Sequence, residues 1–512
     1  MAGEEWAVLA DFATLPASPE SRAALLGAVP LPRLLELLQA NGARMDVLCK
    51  CLEKLLCAED ADSRQILRGP DGARMLPIGF GHPDERVRLF CVRVVGGLVS
   101  CDEDIKWLED HGLVFDLVCA TTDTVLAVGN AACNVLVKAV ACPAGVAAVF
   151  AANCCEQLQV RMSDAGAGAA ASVIRMRVLE LLCRLWAASP AAAERCKALG
   201  VKQQLIDIIE GDDILLQLNA VEVLAQLPAQ DVGEDLLAQL LATAEAMVGG
   251  GAVPARLLAC VASFVAHDSA GVPGSLEARF CELLASRLAA ARPASDGAVD
   301  LLDILAALTA TPRGLCALSR CGQLAPAAAQ LAPALRGQHQ ASKLSALEVV
   351  QHATRSAAHA SFHTRSTEGG AAVGVQGAGA GGHEAEAGAV VERVVRALVP
   401  VLVPLTRTAI LEERVGALCA CRAIAMHSWG AQALFAEAGF LALVVDRQAE
   451  ACKRSLEEKY GLVRAALALP DLPDIVGTDN HRVLVAFAAD GAFYTSPAAR
   501  DTNPQIASMS SG

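Results

Sequence analysis

The sequence predicts an all-α fold, a right-handed superhelix of stacked helical repeats. The first observation behind this is a twelve-residue phrase that keeps returning. It reads MDVLCKCLEKLL (Met45 to Leu56), VRLFCVRVVGGL (Val87 to Leu98) and LQLNAVEVLAQL (Leu216 to Leu227), and the last is nearly repeated as SKLSALEVVQHA (Ser342 to Ala353). Weaker copies end at Lys138, Leu185, His267 and Leu308. Successive endpoints lie 40 to 47 residues apart, the ~40–47-residue period of armadillo or HEAT units. No single unit of this kind buries its own apolar face, so neighbours must stack. A helical solenoid of this type points to binding rather than catalysis.

The second observation is a glycine that precedes an apolar helix at Gly112, Gly200, Gly322 and Gly439. Glycine suits the left-handed position between one helix and the next. This step is more armadillo-like than HEAT-like. The third is composition: 54% hydrophobic but only 4% aromatic, a core of Leu, Val and Ala in which small side chains let helices approach. Strand signals are few.

Along the chain, residues 1–365 read as armadillo/HEAT-like repeats. Residues 366–389 are rich in Gly and Ala with no amphipathic period, too little apolar surface to offset ordering entropy, and are expected to form a flexible loop. Shorter Gly/Ala runs fall at Asp164 to Ala171 and Val248 to Val253. Helices resume with VVERVVRALVPVLVPL from Val390, and RVGALCACRAIA (Arg414 to Ala425) restores the phrase, so residues 390–497 continue the solenoid. The polar segment 498–512 reads as a disordered tail.

Net charge is −14 and no Lys/Arg-rich run occurs, which argues against a nucleic-acid partner needing a basic stripe. It favours a basic or mixed-charge protein partner instead. Glu4 and Glu5 stand where a signal peptide needs positive charge, and no apolar stretch reaches membrane-spanning length. The expected location is the cytoplasm, with the nucleus also open to it. Nineteen cysteines include no Cys-x-x-Cys pair. Most lie inside apolar phrases (Cys51, Cys91, Cys133, Cys183, Cys260) and read as reduced core thiols.

No catalytic, cofactor-binding or metal constellation emerges. His359 and His363 share a helical face, but no third ligand lies nearby in sequence. The Gly-rich stretch has no strand before it to support a dinucleotide site, and phosphate-loop and nucleophile-elbow motifs are absent. Acidic pairs such as Asp212-Asp213 and Glu412-Glu413 precede repeat helices, where they suit the positive helix N-terminus. The remaining candidates are polar residues early in the recurrent phrase: Arg88, Asn130, Arg177, Asn219, Lys343 and Arg414. They are expected to project into the solenoid groove as a ladder that contacts a partner.

From Trp429 onward the text becomes individual. A Trp-led helix leads to Gly439-Phe440 and then to Val444-Val445-Asp446-Arg447. A charged helix follows with Lys459-Tyr460-Gly461-Leu462-Val463, and then a Gly491-Ala492-Phe493-Tyr494 turn. This region resembles the 26S proteasome non-ATPase regulatory subunit five family, as does HPDERVRLFCVRVVGGLV near the N-terminus. The resemblance implies a chaperone for assembly of the proteasome base that is absent from the finished particle. It implies as partners the C-terminal domain of an AAA+ ATPase subunit, with the large non-ATPase base subunit alongside. Nucleic acid, membrane, small-molecule substrate and cofactor are not implied.

Overall fold

A computed structural model describes residues 2–16, 18–39, 44–56, 61–163, 169–247, 251–267, 272–367, 380–448, 450 and 452–494. Every regular element among them is a helix. The chain forms two compact units, Met1–Pro228 and Ala229–Gly512.

In the first unit the recurrent phrases become a row of neighbouring helices: Met45–Leu55, Glu85–Leu98, Leu126–Ala139, Ala169–Ala188 and Ile214–Leu224, each packed on the next. The reason lies in the spacing. In Glu85–Leu98, Val87, Phe90, Cys91, Val94, Val95 and Leu98 are buried, a stripe at three- and four-residue steps that must face other helices. The second unit has its own row: Ala252–Ala266, Asp296–Thr309, Gln340–Thr367, Leu411–Ile424 and Lys453–Leu467, closed by Thr478–Asp490. Each unit is an armadillo-like helical stack.

The repeat period is written into hydrogen bonds. Lys138 Nζ donates to Gly96 O (2.9 Å), 42 residues back, and Ser356 Oγ to Thr309 O (2.8 Å), 47 back. Shorter helices cover the rows, several started by proline in the first turn, as at Pro70, Pro143, Pro190 and Pro312, where its missing N–H costs nothing. Gly112, Gly200, Gly322 and Gly439 all take positive φ, 67° to 75°, as the sequence predicted. Cys51, Cys91, Cys133, Cys183 and Cys260 are buried free thiols. Burial pushes the thiols of Cys183 and Cys260 up to about 12.

The expected loop at 366–389 is shortened from both ends. One helix runs to Thr367, and the next starts at Ala380 rather than Val390. Ala387, Val391, Val395, Leu398 and Leu402 are buried along the latter, so its apolar stripe begins inside the segment that composition marked as loop. Residues 368–379 lie outside the described residues, as do 164–168, 248–250 and the tail from 495. Among the described residues no single helix is long and apolar enough to cross a membrane.

Candidate binding surface

The expected ladder is largely turned inward. Arg88, Lys343 and Arg414 are each the fourth residue of their helix, and so is Gln217. Arg88 grips Asp123 with two hydrogen bonds (2.6 and 3.0 Å) and also donates to the carbonyls of His82 and Pro83. Gln217 donates to the carbonyls of Ile209 and Gly211 (2.9 and 2.6 Å). Lys343 pairs with Glu413 (3.2 Å), whose carboxylate is 2% exposed. Arg414 donates to Thr408 O (2.8 Å) and pairs with Glu450 (3.2 Å). Arg177 is buried, and its Nη1 donates to Thr121 O and Asp123 O (3.0 and 2.7 Å).

Four of the six expected contact residues therefore tie neighbouring repeats together. In these four helices the fourth residue reaches the loop before the helix, the next repeat or both, where carbonyls and carboxylates wait. Only Asn130 and Asn219 are exposed, because they sit one and two places further along their helices. Glu412 and Glu413 stand in the first turn of their helix, as expected, and Glu413 also answers Lys343; Asp213 caps its helix by accepting from Leu215 and Leu216 N–H. Asp123, Gln217 and Glu450 were not singled out from sequence; the recurring fourth-place polar residue was the signal available for Gln217.

The motif residues of the C-terminal region converge on one module. Gly439 at φ 75° starts the helix Phe440–Val445, and Phe440, fully buried, meets Phe435 edge-on at 5.6 Å. Arg447 then clamps the end of the last helix. Its guanidinium donates to Phe487 O (2.7 Å) and twice to Gly491 O (3.2 and 2.8 Å), 3.9 Å over the Phe487 ring and 5.7 Å from Tyr494. A cation there answers orphan carbonyls and the negative end of the helix dipole. Gly491 makes the turn at φ 88°.

Beneath it, Lys459 is 1% exposed. Its ammonium donates to Asp446 O (3.1 Å) and faces Glu450 at 3.8 Å, and Glu450 also holds Arg414. Burial lowers the pKa of Lys459, and Glu450 and Asp446 oppose that shift. Trp429 stacks on His427 (5.1 Å), with Arg396 5.8 Å above its ring. Tyr460 is half-buried, while Phe493 and Tyr494 are exposed. No group of three potential metal ligands occurs among the described residues.

A family model described as proteasome non-ATPase 26S subunit matches residues 21–243 and 396–508, which takes in the first row and this whole module. The chain belongs to that family. Human 26S proteasome non-ATPase regulatory subunit 5 is 28% identical over 260 residues, 47% of this chain and 49% of the relative. The bovine protein of the same name is 27% identical over the same length and shares. The chain thus spans about half the length of the curated relatives it matches. Among solved structures, importin beta aligns with a TM-score of 0.56 at 12% identity, over 92% of this chain and 61% of that one; that likeness shows the helical-repeat fold alone. The matched regions contain Arg88, Arg177, Gln217 and Arg414 of the internal ladder and the Arg447 clamp, while Lys343 lies between them.

Proposed function

We propose that this family member is a chaperone for assembly of the base of the 26S proteasome regulatory particle. It holds AAA+ ATPase subunits through their C-terminal domain, with the large non-ATPase base subunit alongside, and leaves before the particle is complete. The observation that carries this reading is the family match over both the first row and the C-terminal module. A helical stack suits the task because it presents a long surface on a stiff frame. Timed release requires only different affinities for free and assembled ATPase. The role needs no chemistry from the chain itself, and its place is the cytoplasm and nucleus.

The test is affinity capture from native extract, followed by mass spectrometry of fractions separated by size. Recovery with free ATPase subunits and base precursors, and exclusion from complete 26S particles, is the expected result. Stoichiometric recovery in complete, active particles would replace the chaperone with a constitutive scaffold. Absence of every proteasomal subunit would leave an armadillo-like adaptor of another complex.

A further inference from the structure

Helices Leu411–Ile424 and Lys453–Leu467 of the second unit pack side by side. Their outer surfaces form an open groove of about 610 Å³. Its apolar part is Met426, 46% exposed, with Ala465, Ala468 and Leu469. Its polar part is Arg422, Tyr460 and Arg464. Gly461 shapes one wall: a side chain there would press on the Arg422 guanidinium at 3.0 Å, so its absence lets that group lie against the helix.

The charge of this surface runs against that of the chain. Arg464 is exposed and, among the described residues, donates only a long bond to the Tyr460 hydroxyl (3.5 Å), with no carboxylate paired to it. Arg422 meets one carboxylate oxygen, of Glu458 at 3.3 Å, and its side chain stays 43% exposed. The acid lining the groove, Glu457, is answered by Lys453 at 3.8 Å. Arg355 and Arg454, both exposed, and the Arg422 partner Glu458 stand within electrostatic reach of Cys419 on the same helix pair. In a chain of net charge −14, this is a local cationic face around an exposed apolar floor.

We infer that this groove is a binding site for an acidic peptide segment of a protein partner. A carboxylate of that segment pairs with Arg464 and the free edge of Arg422, and an apolar side chain beside it lies on Met426 and Leu469. Guanidinium suits the task because its planar fork takes a carboxylate in two parallel hydrogen bonds. The apolar floor supplies burial that a surface ion pair alone lacks. The inference does not depend on the proteasomal reading: any partner with this segment chemistry satisfies it.

The test uses the full chain and a fluorescein-labelled peptide alternating Glu and Leu, read by anisotropy, beside its Gln–Leu counterpart. The Glu–Leu peptide should bind at least tenfold more tightly than the Gln–Leu peptide, and more weakly as salt rises. Arg464→Ala should weaken it about tenfold, the size of one charge-assisted hydrogen bond, and Met426→Asp should weaken it as well. Lys50→Ala, an exposed cation of the first unit, should bind like the parent. Arg464 is exposed, so its variant keeps the parental melting temperature. Equal binding of the two peptides, or parental affinity in a folded Arg464→Ala variant, overturns the groove. Such a failure leaves capture of proteasomal subunits untouched, so the two readings fall separately.

Discussion

The Arg177 guanidinium occupies the space that a side chain at Gly129 would need. Gly129 is the fourth residue of Leu126–Ala139, the place that carries Arg88, Gln217, Lys343 or Arg414 in four other row helices. Here the ladder residue is missing, and a neighbouring repeat reaches in to fill the gap and bond the loop carbonyls of Thr121 and Asp123.

Gly129→Ala should therefore destabilise the chain by about 2 kcal/mol in urea denaturation. Alanine gains about 1 kcal/mol of helix propensity, but it displaces two hydrogen bonds from a charged donor, each worth about 1.5–3 kcal/mol. In an Arg177→Ala background the same change should be neutral or stabilising, and a double-mutant cycle reads the difference. Additive effects would show that the two residues do not share this space.

Arg88→Glu should lower stability by about 3–5 kcal/mol, because it sets a second carboxylate against the nearly buried Asp123. Asn130→Ala and Asn219→Ala, on exposed positions, should stay within about 0.5 kcal/mol of the parent. A parental melting curve for Arg88→Glu would contradict the inward ladder.

Arg447→Ala should release the last helix while leaving the rest of the second unit folded. The measurement is hydrogen exchange across residues 478–490, where protection should fall sharply. Arg447→Lys should restore little of it, since one ammonium cannot reach both Phe487 O and Gly491 O while stacking on the Phe487 ring.

Lys459 gives stability a pH dependence of defined sign. Burial lowers its pKa below the ordinary 10.5, so between those two values the unfolded chain holds more protons and stability rises with pH. Below the lowered value the burial penalty is present in full. Relative to Lys459→Met, the parent should gain stability as pH climbs through that window in urea titrations. Glu450→Ala, which leaves the Lys459 and Arg414 cations facing each other, should lose about 3–5 kcal/mol at neutral pH.

Cys452 should be the most readily alkylated cysteine among the described residues. It stands at the N-cap position of Lys453–Leu467, where the Ser455 N–H above all lowers its pKa from the ordinary value. Cys101 also sits at a helix N-cap, but there its thiol faces the Asp104 carboxylate and donates to Oδ2 at 3.2 Å. Iodoacetamide labelling at neutral pH, mapped by mass spectrometry, should mark Cys452 before Cys101 and Cys119. Equal rates at all three would contradict this.

Much of this protein was legible in one dimension. The period, the helical rows, the glycine steps at 112, 200, 322 and 439 and the buried cysteines follow from local spacing, since a 3.6-residue apolar stripe has one way to be covered. The convergence of Arg447, Lys459, Gly491 and Tyr494 in one module was visible only as a resemblance between motifs. The start of the helix at Ala380 was hidden by the Gly and Ala around it, because the contacts that order it come from other helices.

The sequence by itself determined that helices stack about every forty residues and which face of each is apolar. Only the tertiary structure decided where the polar residues point. Arg88 meets Asp123 from 35 residues away, and Lys343 meets Glu413 from 70. A cation early in a helix reads the same whether it faces water or a carboxylate of the next repeat. That choice depends on charge and burial supplied by a neighbour, which no single helix encodes.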